Sequence, residues 1–324
     1  MRYSFIIPLK EINDYIRETI GEILKIQRDD YEIIIYPDKA GAEIWPKTRQ
    51  ISTGHMGPAA KRSLAIRDAQ GEILIFIDDD SYPAGNFLEK LDKDFENSEI
   101  IAVGGPAATP KNDSFKQKVS GAVFLSPVSG GFPERYIPLG EKRLVNDWPS
   151  VNLSARRKSF IAVGGFNSDY WPGEDTKFCL DIINKLNGKI LYDPELIVWH
   201  HRREGFFRHL KQIAGYGLHR GFFAKKYPET SLKLKYFIPS FFFLFVVIGF
   251  FASALFPNLW KLYAIGWFFY FLALVKSFLD ISRREKNILA VLSSIYFIFF
   301  THLVYGARFI QGFIFTKELR SKLR

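Results

Sequence analysis

Over its first 200 residues the chain alternates short apolar runs with longer segments in which apolar positions recur every three or four residues. The runs Arg2–Ile7, Tyr31–Tyr36, Ile73–Ile77 and Ile100–Val103 are strand-length and rich in Ile, Tyr and Phe, so they read as strands. Between the first two, Ile12, Ile16, Ile20, Ile23 and Leu24 share one face of a helix expected over Glu11–Gln27. Further helices are expected over Gly57–Gln70 and Gly85–Glu96. Strand–helix alternation of this kind predicts a mainly parallel sheet with helices on both faces, the layout of a nucleotide-binding α/β fold.

The rhythm lapses over residues 105–150, where Pro106, Pro110, Pro127, Gly130, Gly131, Pro133, Pro138 and Pro149 accumulate. This stretch reads as long loops with short strands, which on an α/β sheet usually shape a site. Regular structure resumes at Ser150–Ala155, with a helix near Arg157–Val163 and the triplet Gly164-Gly165-Phe166. A helix from Gly173-Glu174-Asp175 to about Leu186 follows, then strands near Lys189–Tyr192 and Leu196–Trp199.

Past residue 235 the pattern changes class. Phe237–Phe256 carries no charge and is long enough to cross a hydrocarbon core. Pro257-Asn258 marks a turn before a second apolar segment, about Leu259–Leu279, whose Lys261 and Lys276 stand near its ends. A polar loop with Arg283, Arg284 and Lys286 leads to a third segment, Ile288–Ala307. Three such segments predict a membrane region. With residues 1–200 and the Arg283-Arg284 loop on the cytoplasmic side, the first two make a hairpin obeying the positive-inside rule. A third full crossing would leave Lys317, Arg320, Lys322 and Arg324 on the far side, so a re-entrant bend near Gly306 or Gly312 is expected. Before the apolar region, Phe206, Phe207, Leu210, Ile213 and Ala214 can share a helical face, with Arg203, Arg208, Lys211 and Arg220 elsewhere; residues 201–235 read as a basic interfacial segment. The organisation is therefore 1–200, 201–235 and 236–324.

Composition narrows the chemistry. A net charge of +10 suits anionic lipid or a phosphorylated substrate, and no nucleic-acid-binding motif accompanies it. Cys179 is the one cysteine, which rules out an intrachain disulfide and a thiolate metal cluster. The opening residues lack the apolar core of a secretory signal, so the N-terminal part is expected to fold on the side where it is made. Asp78, Asp79 and Asp80 stand directly behind the Ile73–Ile77 run. A buried strand ending in clustered carboxylates brings hard oxygen ligands to the carboxyl edge of a sheet, where such folds bind ligands. Asp78 and Asp80 suit Mg²⁺ or Mn²⁺ bridging a diphosphate. Asp79 would point to the opposite side of an extended segment, where it suits the hydroxyls of a ribose or sugar. Lys61 and Arg62 are candidates for phosphate or base contacts. Of His200 and His201 near the last strand, the expectation for a third metal ligand falls on His201. Arg202, Arg203 and Arg220 are candidates for a lipid-borne phosphate or for headgroups.

The ordered set Phe5-Ile6-Ile7-Pro8, Ala60-Lys61-Arg62-Ser63, Ala69-Gln70-Gly71-Glu72, Ile77-Asp78-Asp79-Asp80, Val151-Asn152-Leu153-Ser154, Val163-Gly164-Gly165-Phe166, Gly173-Glu174-Asp175, Asp193-Pro194 and Trp199-His200-His201 resembles membrane-associated family-2 inverting glycosyltransferases over roughly residues 3–220. The resemblance implies a GT-A (Rossmann-like) α/β domain, a UDP-, GDP- or TDP-sugar donor, and Mn²⁺ or Mg²⁺. It implies Asp175 as the base that deprotonates an acceptor hydroxyl, with Glu174 assisting acceptor binding, and Pro8 and Asp38 beside the nucleotide. Only Asp38 matches the family's acidic turn after the second strand, which leaves the base open. The Q-x-x-R-W signature of processive synthases is missing, which argues against a polymerising channel. The expected activity is transfer to a hydroxyl of a lipid-linked glycan at the cytoplasmic membrane. A polyprenyl-phosphate glycosyltransferase and a catalytically silent membrane scaffold are the alternatives.

Overall fold

The computed structural model describes residues 1–168 and 170–319, and the chain divides into two compact units. One comprises Met1–Pro110 and Ile137–His201, the other Lys111–Tyr136 and Arg202–Leu319.

In the first unit the strands are β1 (Tyr3–Pro8), β2 (Tyr31–Tyr36), β3 (Thr48–Gln50), β4 (Ile73–Phe76), β5 (Ser81–Pro83), β6 (Ile100–Gly104), β7 (Ala107–Ala108), β8 (Arg143–Val145), β9 (Leu153–Arg156), β10 (Lys189–Tyr192) and β11 (Val198–His200). Eight of them form one sheet in the order β3-β2-β1-β4-β9-β6-β10-β8. The pairs β2–β3, β1–β2, β1–β4 and β6–β10 are parallel, whereas β9 runs antiparallel between β4 and β6, and β8 closes the edge antiparallel to β10. The mainly parallel α/β architecture expected from the alternation is present. Strand β9 escaped that pattern because an antiparallel neighbour needs no crossover helix before it.

Alternation along each strand divides the core between the two faces. Phe5, Ile7, Ile33, Ile35 and Ile75 pack with Ile16, Ile20, Leu88 and Leu91 on one side. Ile6, Ile34, Leu74 and Phe76 pack with Phe160, Phe178 and Ile182 on the other. The first helix is shorter than expected, Asp14–Ile23, because the Asn13 side chain accepts the Ile16 N–H and caps it there. The helix expected over Gly57–Gln70 is two pieces, Pro58–Ser63 and Ala65–Asp68.

Residues 105–150 are less loop-like than expected. They contain β7 and β8, but also the helices Phe115–Ala122 and Pro127–Gly130. Ser114 and Gln117 form a reciprocal capping box at the start of the first. The second begins at Pro127 behind the Ser126 cap and ends at Gly131 in the left-handed region, so these Pro and Gly residues punctuate helices.

In the second unit, three helices are long and apolar enough to cross a membrane: Leu234–Leu255, Pro257–Ser282 and Ile288–Phe315. They match the three expected segments. The third is helical without interruption from Ile288 to Ile310 and continues as a π-helical turn over Gln311–Phe315, so the bend expected at Gly306 is not there. Gly306 instead admits the first apolar helix: a Cβ there would lie 2.2 Å from the Pro239 carbonyl oxygen. Lys317 is described, whereas Arg320, Lys322 and Arg324 lie outside the described residues. The basic segment forms helix Phe206–Lys226, which meets the third apolar helix through glycines. A Cβ on Gly217 would stand 2.7 Å from the Tyr305 carbonyl oxygen, and one on Gly221 2.1 Å from that of Phe309. Of the apolar face expected on this helix, Ile213 is buried and Phe207 is 83% exposed.

Candidate active site

Strand β4 ends at Phe76, and the three aspartates form the turn that follows. The Asp78 N–H donates to Ser81 Oγ at 2.9 Å, and the Ser81 hydroxyl donates to the Asp78 carbonyl oxygen at 2.9 Å. The turn delivers the chain into β5, which pairs antiparallel with β11 so that Ser81 faces His200. His200 Nε2 thereby comes to 3.2 Å from Asp80 Oδ1. Ligand atoms of Asp78, Asp80 and His200 all lie within 4.8 Å of one another. Two hard carboxylate oxygens and one imidazole suit Mn²⁺ or Mg²⁺ better than a thiolate-seeking metal.

His201, the expected third ligand, is turned away. Its backbone N–H donates to the Asp80 carbonyl oxygen at 3.0 Å, while its ring Nε2 pairs with Glu18 Oε2 at 3.0 Å and lies beside Tyr15 and Tyr82. Successive strand residues face opposite ways, so only one of the two histidines can meet the aspartates. Asp79 also leaves the cluster. Its Oδ2 accepts from Asn13 Nδ2 at 3.0 Å, at the cap of helix Asp14–Ile23.

Lys61 and Arg62, although on one short helix, point inward and are almost fully buried. Arg62 is the hinge of the site. One guanidinium nitrogen donates to Glu174 Oε1 at 2.9 Å, another hydrogen-bonds the Asp78 carboxylate, and the group lies 5.8 Å from the centre of the Phe166 ring. Phe166 is held in place by Gly164 and Gly165, both at positive φ, and by its N–H donating to Ser63 Oγ. Lys61 donates to the Leu9 carbonyl oxygen at 2.6 Å and the Tyr36 carbonyl oxygen at 3.1 Å, and pairs with Asp38. Pro8 is the buried last residue of β1, immediately before Leu9. Burial would raise the Asp38 carboxyl, but Lys61 and His55 outweigh it and hold it below the usual carboxylate range.

Gly173, at φ 117°, opens helix Glu174–Leu186 in a conformation that side-chain-bearing residues rarely adopt. The next two residues then diverge. Glu174 is buried against Arg62, and burial together with the adjacent Asp175 pushes its carboxyl above the usual range while Arg62 pulls it back. Asp175 is only half-buried. Its Oδ2 accepts the Ser150 N–H at 3.2 Å and its Oδ1 the Thr176 N–H at 2.8 Å, which fixes the carboxylate's direction. Beneath it, Asn152 donates to the Pro106 and Leu196 carbonyl oxygens, and Trp148 packs where a Cβ on Gly104 would fall.

The structure therefore gathers Asp78, Asp80, Arg62, Glu174 and Asp175 into one connected set, adds His200, and joins Asp38 to Lys61. Arg202, Arg203 and Arg220 belong to the second unit. There the Arg202 guanidinium lies 4.9 Å from the Tyr136 ring centre and that of Arg220 4.8 Å from Tyr236; Arg203 is partly exposed.

Residues 4–160 match the family described as "Glycosyl transferase family 2". The chain is similar to a dolichyl N-acetyl-α-D-glucosaminyl phosphate 3-β-D-2,3-diacetamido-2,3-dideoxy-β-D-glucuronosyltransferase of Methanococcus voltae, 21% identical over 69% of this chain and 74% of that protein. It is 29% identical to the uncharacterized glycosyltransferase EpsJ of Bacillus subtilis over 31% of this chain, about a third (32%) of that protein's length. Among solved structures, the mannosyltransferase PcManGT of Pyrobaculum calidifontis, in complex with GDP-Man and Mn²⁺, superposes with a TM-score of 0.55 at 16% identity over 98% of this chain and 88% of that one. The shared fold is GT-A.

Proposed function

We propose that this chain, a glycosyltransferase whose residues 4–160 belong to glycosyl transferase family 2, transfers a sugar with inversion from a nucleotide-diphosphate donor to a hydroxyl of a lipid-linked glycan. The observation that carries the reading is the division of labour between adjacent acids: Glu174 is locked inward by Arg62, while half-exposed Asp175 is held by two backbone N–H groups. An acceptor hydroxyl needs a base, and in this reading Asp175 takes its proton. As the acceptor oxygen bonds to the anomeric carbon, the bond to the diphosphate breaks on the opposite face and its electron pair leaves with the nucleotide. Asp78, Asp80 and His200 would hold Mn²⁺ or Mg²⁺, which when bound offsets charge on the departing diphosphate. Arg62 keeps Asp78 and Glu174 in fixed relation, so donor and acceptor sides share one rigid support. Asp38 and Lys61 are the candidates beside the nucleotide.

A lipid-linked acceptor is supported by the apolar helices and by the name of the Methanococcus relative. The same reading puts the catalytic unit on the cytoplasmic face of a multi-pass protein, where nucleotide sugars are made. The test is turnover of UDP-, GDP- and TDP-sugars by the purified protein with Mn²⁺ or Mg²⁺ and extracted lipid-linked glycans. Nucleotide release with a glycan product is expected, falling by about 10²–10⁴-fold in Asp175→Asn and lost with metal binding in Asp80→Ala. A folded protein that binds no sugar nucleotide and releases none would overturn the reading.

A further inference from the structure

The aspartate turn is held from behind by a single helix. In helix Asp14–Ile23, Ile16, Ile20 and Ile23 are buried in the core, and positions 15, 18 and 19, spaced three and four apart, share a neighbouring face. That face meets the turn and strand β11. Buried Thr19 places its hydroxyl 3.0 Å from the Asp79 carbonyl oxygen and 3.0 Å from that of Ser81, the carbonyls on either side of Asp80. Half-buried Glu18 reaches His201, its Oε2 3.0 Å from the ring Nε2, and the Tyr15 ring centre lies 5.0 Å from that of His201. Asn13, the cap of the same helix, donates to the Asp79 carboxylate at 3.0 Å while its own side-chain oxygen accepts the Ile16 N–H at 2.9 Å.

The turn is thereby fixed at consecutive carbonyls. The Asp79 and Ser81 oxygens accept from Thr19, the Asp80 oxygen accepts the His201 N–H at 3.0 Å, and the Asp78 oxygen accepts the Ser81 hydroxyl at 2.9 Å. A planar peptide held at its oxygen cannot rotate freely, so the direction in which each side chain leaves the turn is set. Asp79 leaves toward Asn13, while Asp78 and Asp80 leave toward His200. His200 faces them because its neighbour His201 faces Glu18. Two carboxylates brought together repel, and restraint from behind keeps them convergent.

We propose that Thr19 and Glu18 are positioning residues for a divalent cation: they act through the turn and through His201, and set how tightly Asp78, Asp80 and His200 hold the ion. The inference rests on the reading of those three residues as the metal site.

The test is the Mn²⁺ affinity of the full-length protein in detergent, followed by the electron paramagnetic resonance signal of free Mn²⁺, beside melting temperatures in EDTA. Thr19→Val, which removes the hydroxyl at nearly constant shape, is expected to weaken Mn²⁺ binding by about 10–100-fold, and Thr19→Ser to restore it. Glu18→Ala gives a milder loss with an unchanged metal-free melting temperature. In turnover, both variants raise the apparent KM for Mn²⁺ and keep kcat at saturating Mn²⁺. Folded variants that melt earlier yet bind Mn²⁺ as wild type does make both residues structural only and overturn the proposal. If Thr19→Val does not fold, Glu18→Ala decides, and wild-type affinity there overturns the role. A wild type that binds no Mn²⁺, or whose binding Asp80→Ala leaves unchanged, overturns the metal reading itself and this proposal with it.

Discussion

The first unit buries charges against one another: Lys61 with Asp38, Arg62 between Asp78 and Glu174, Asp94 and Asp193 under Lys142. The second unit solves the same problem with imidazole bridges. His209 bridges Ser120 Oγ at 2.8 Å and Thr301 Oγ1 at 2.9 Å, and His302 links the Tyr270 hydroxyl to the Ser129 carbonyl oxygen. Paired charges keep strong fields inside the first unit, which a site handling diphosphate and protons can use. Imidazole bridges hold helices together with hydrogen bonds at both ring nitrogens, and they fasten Lys111–Tyr136 to residues as far as 173 positions later. The difference teaches that buried polarity in this chain has two purposes, and each makes its own expectation.

The largest expected effect is on the charged side. Arg62→Leu strands two carboxylates, one of them fully buried, and should cost about 3–5 kcal/mol of stability. Glu174→Gln added to it should recover part of the loss in a denaturant titration. A cost below about 1 kcal/mol would mean the bridge is solvated and the contrast is wrong.

On the apolar side, close packing replaces charge. Gly221→Ala would press a methyl against the Phe309 carbonyl oxygen and should destabilise by about 1–3 kcal/mol. Gly21→Ala, in helix Asp14–Ile23 with open space around it, should instead stabilise by about 0.5–1 kcal/mol. Thermal melts of the two variants check the pair, and equal signs would remove the distinction.

The effect most spread out, because each side changes only over its own titration range, is read through pH. Burial, with Asp193 alongside, pushes the Asp94 carboxyl up to about 6 against the pull of Lys142. Its contribution is therefore complete below the ordinary aspartate range and is lost as pH rises through about 6. Burial pushes His209 down to about 4. Its contribution is complete above the ordinary histidine value and is lost as pH falls through about 4. Asp94→Asn should flatten the acid-to-neutral decline, and His209→Gln, which can still reach both hydroxyls, should flatten the loss on the acid side. Melting curves across pH 4–8 with parallel slopes in all three proteins would break the comparison.

Much was legible because it is local. The periods of Ile16, Ile20 and Ile23, the runs at Tyr31–Tyr36 and Ile73–Ile77, and the charge-free stretch after residue 236 declare strands, helices and membrane-length segments on their own. So does the position of Asp78–Asp80 behind a strand and of Gly173 before a helix. These features depend on residues within a turn or two of each other, and the chain carries them wherever it folds.

What only the tertiary structure decided depends on partners far along the chain. The pairing of β5 with β11 selects His200 over His201, because strand alternation admits one and turns the other toward Glu18. The inward turn of Lys61 and Arg62 needs Asp38, Asp78 and Glu174 to be in place, since neither cation could be buried alone. Residues 111–136 join the helices of the second unit through Ser120, Ser126 and Ser129, a choice that Pro and Gly spacing does not encode. The sequence by itself determined the elements and the acids; long-range pairing determined which side chains meet, because a side chain's partner is fixed by the register of contacts and not by its neighbours in the chain.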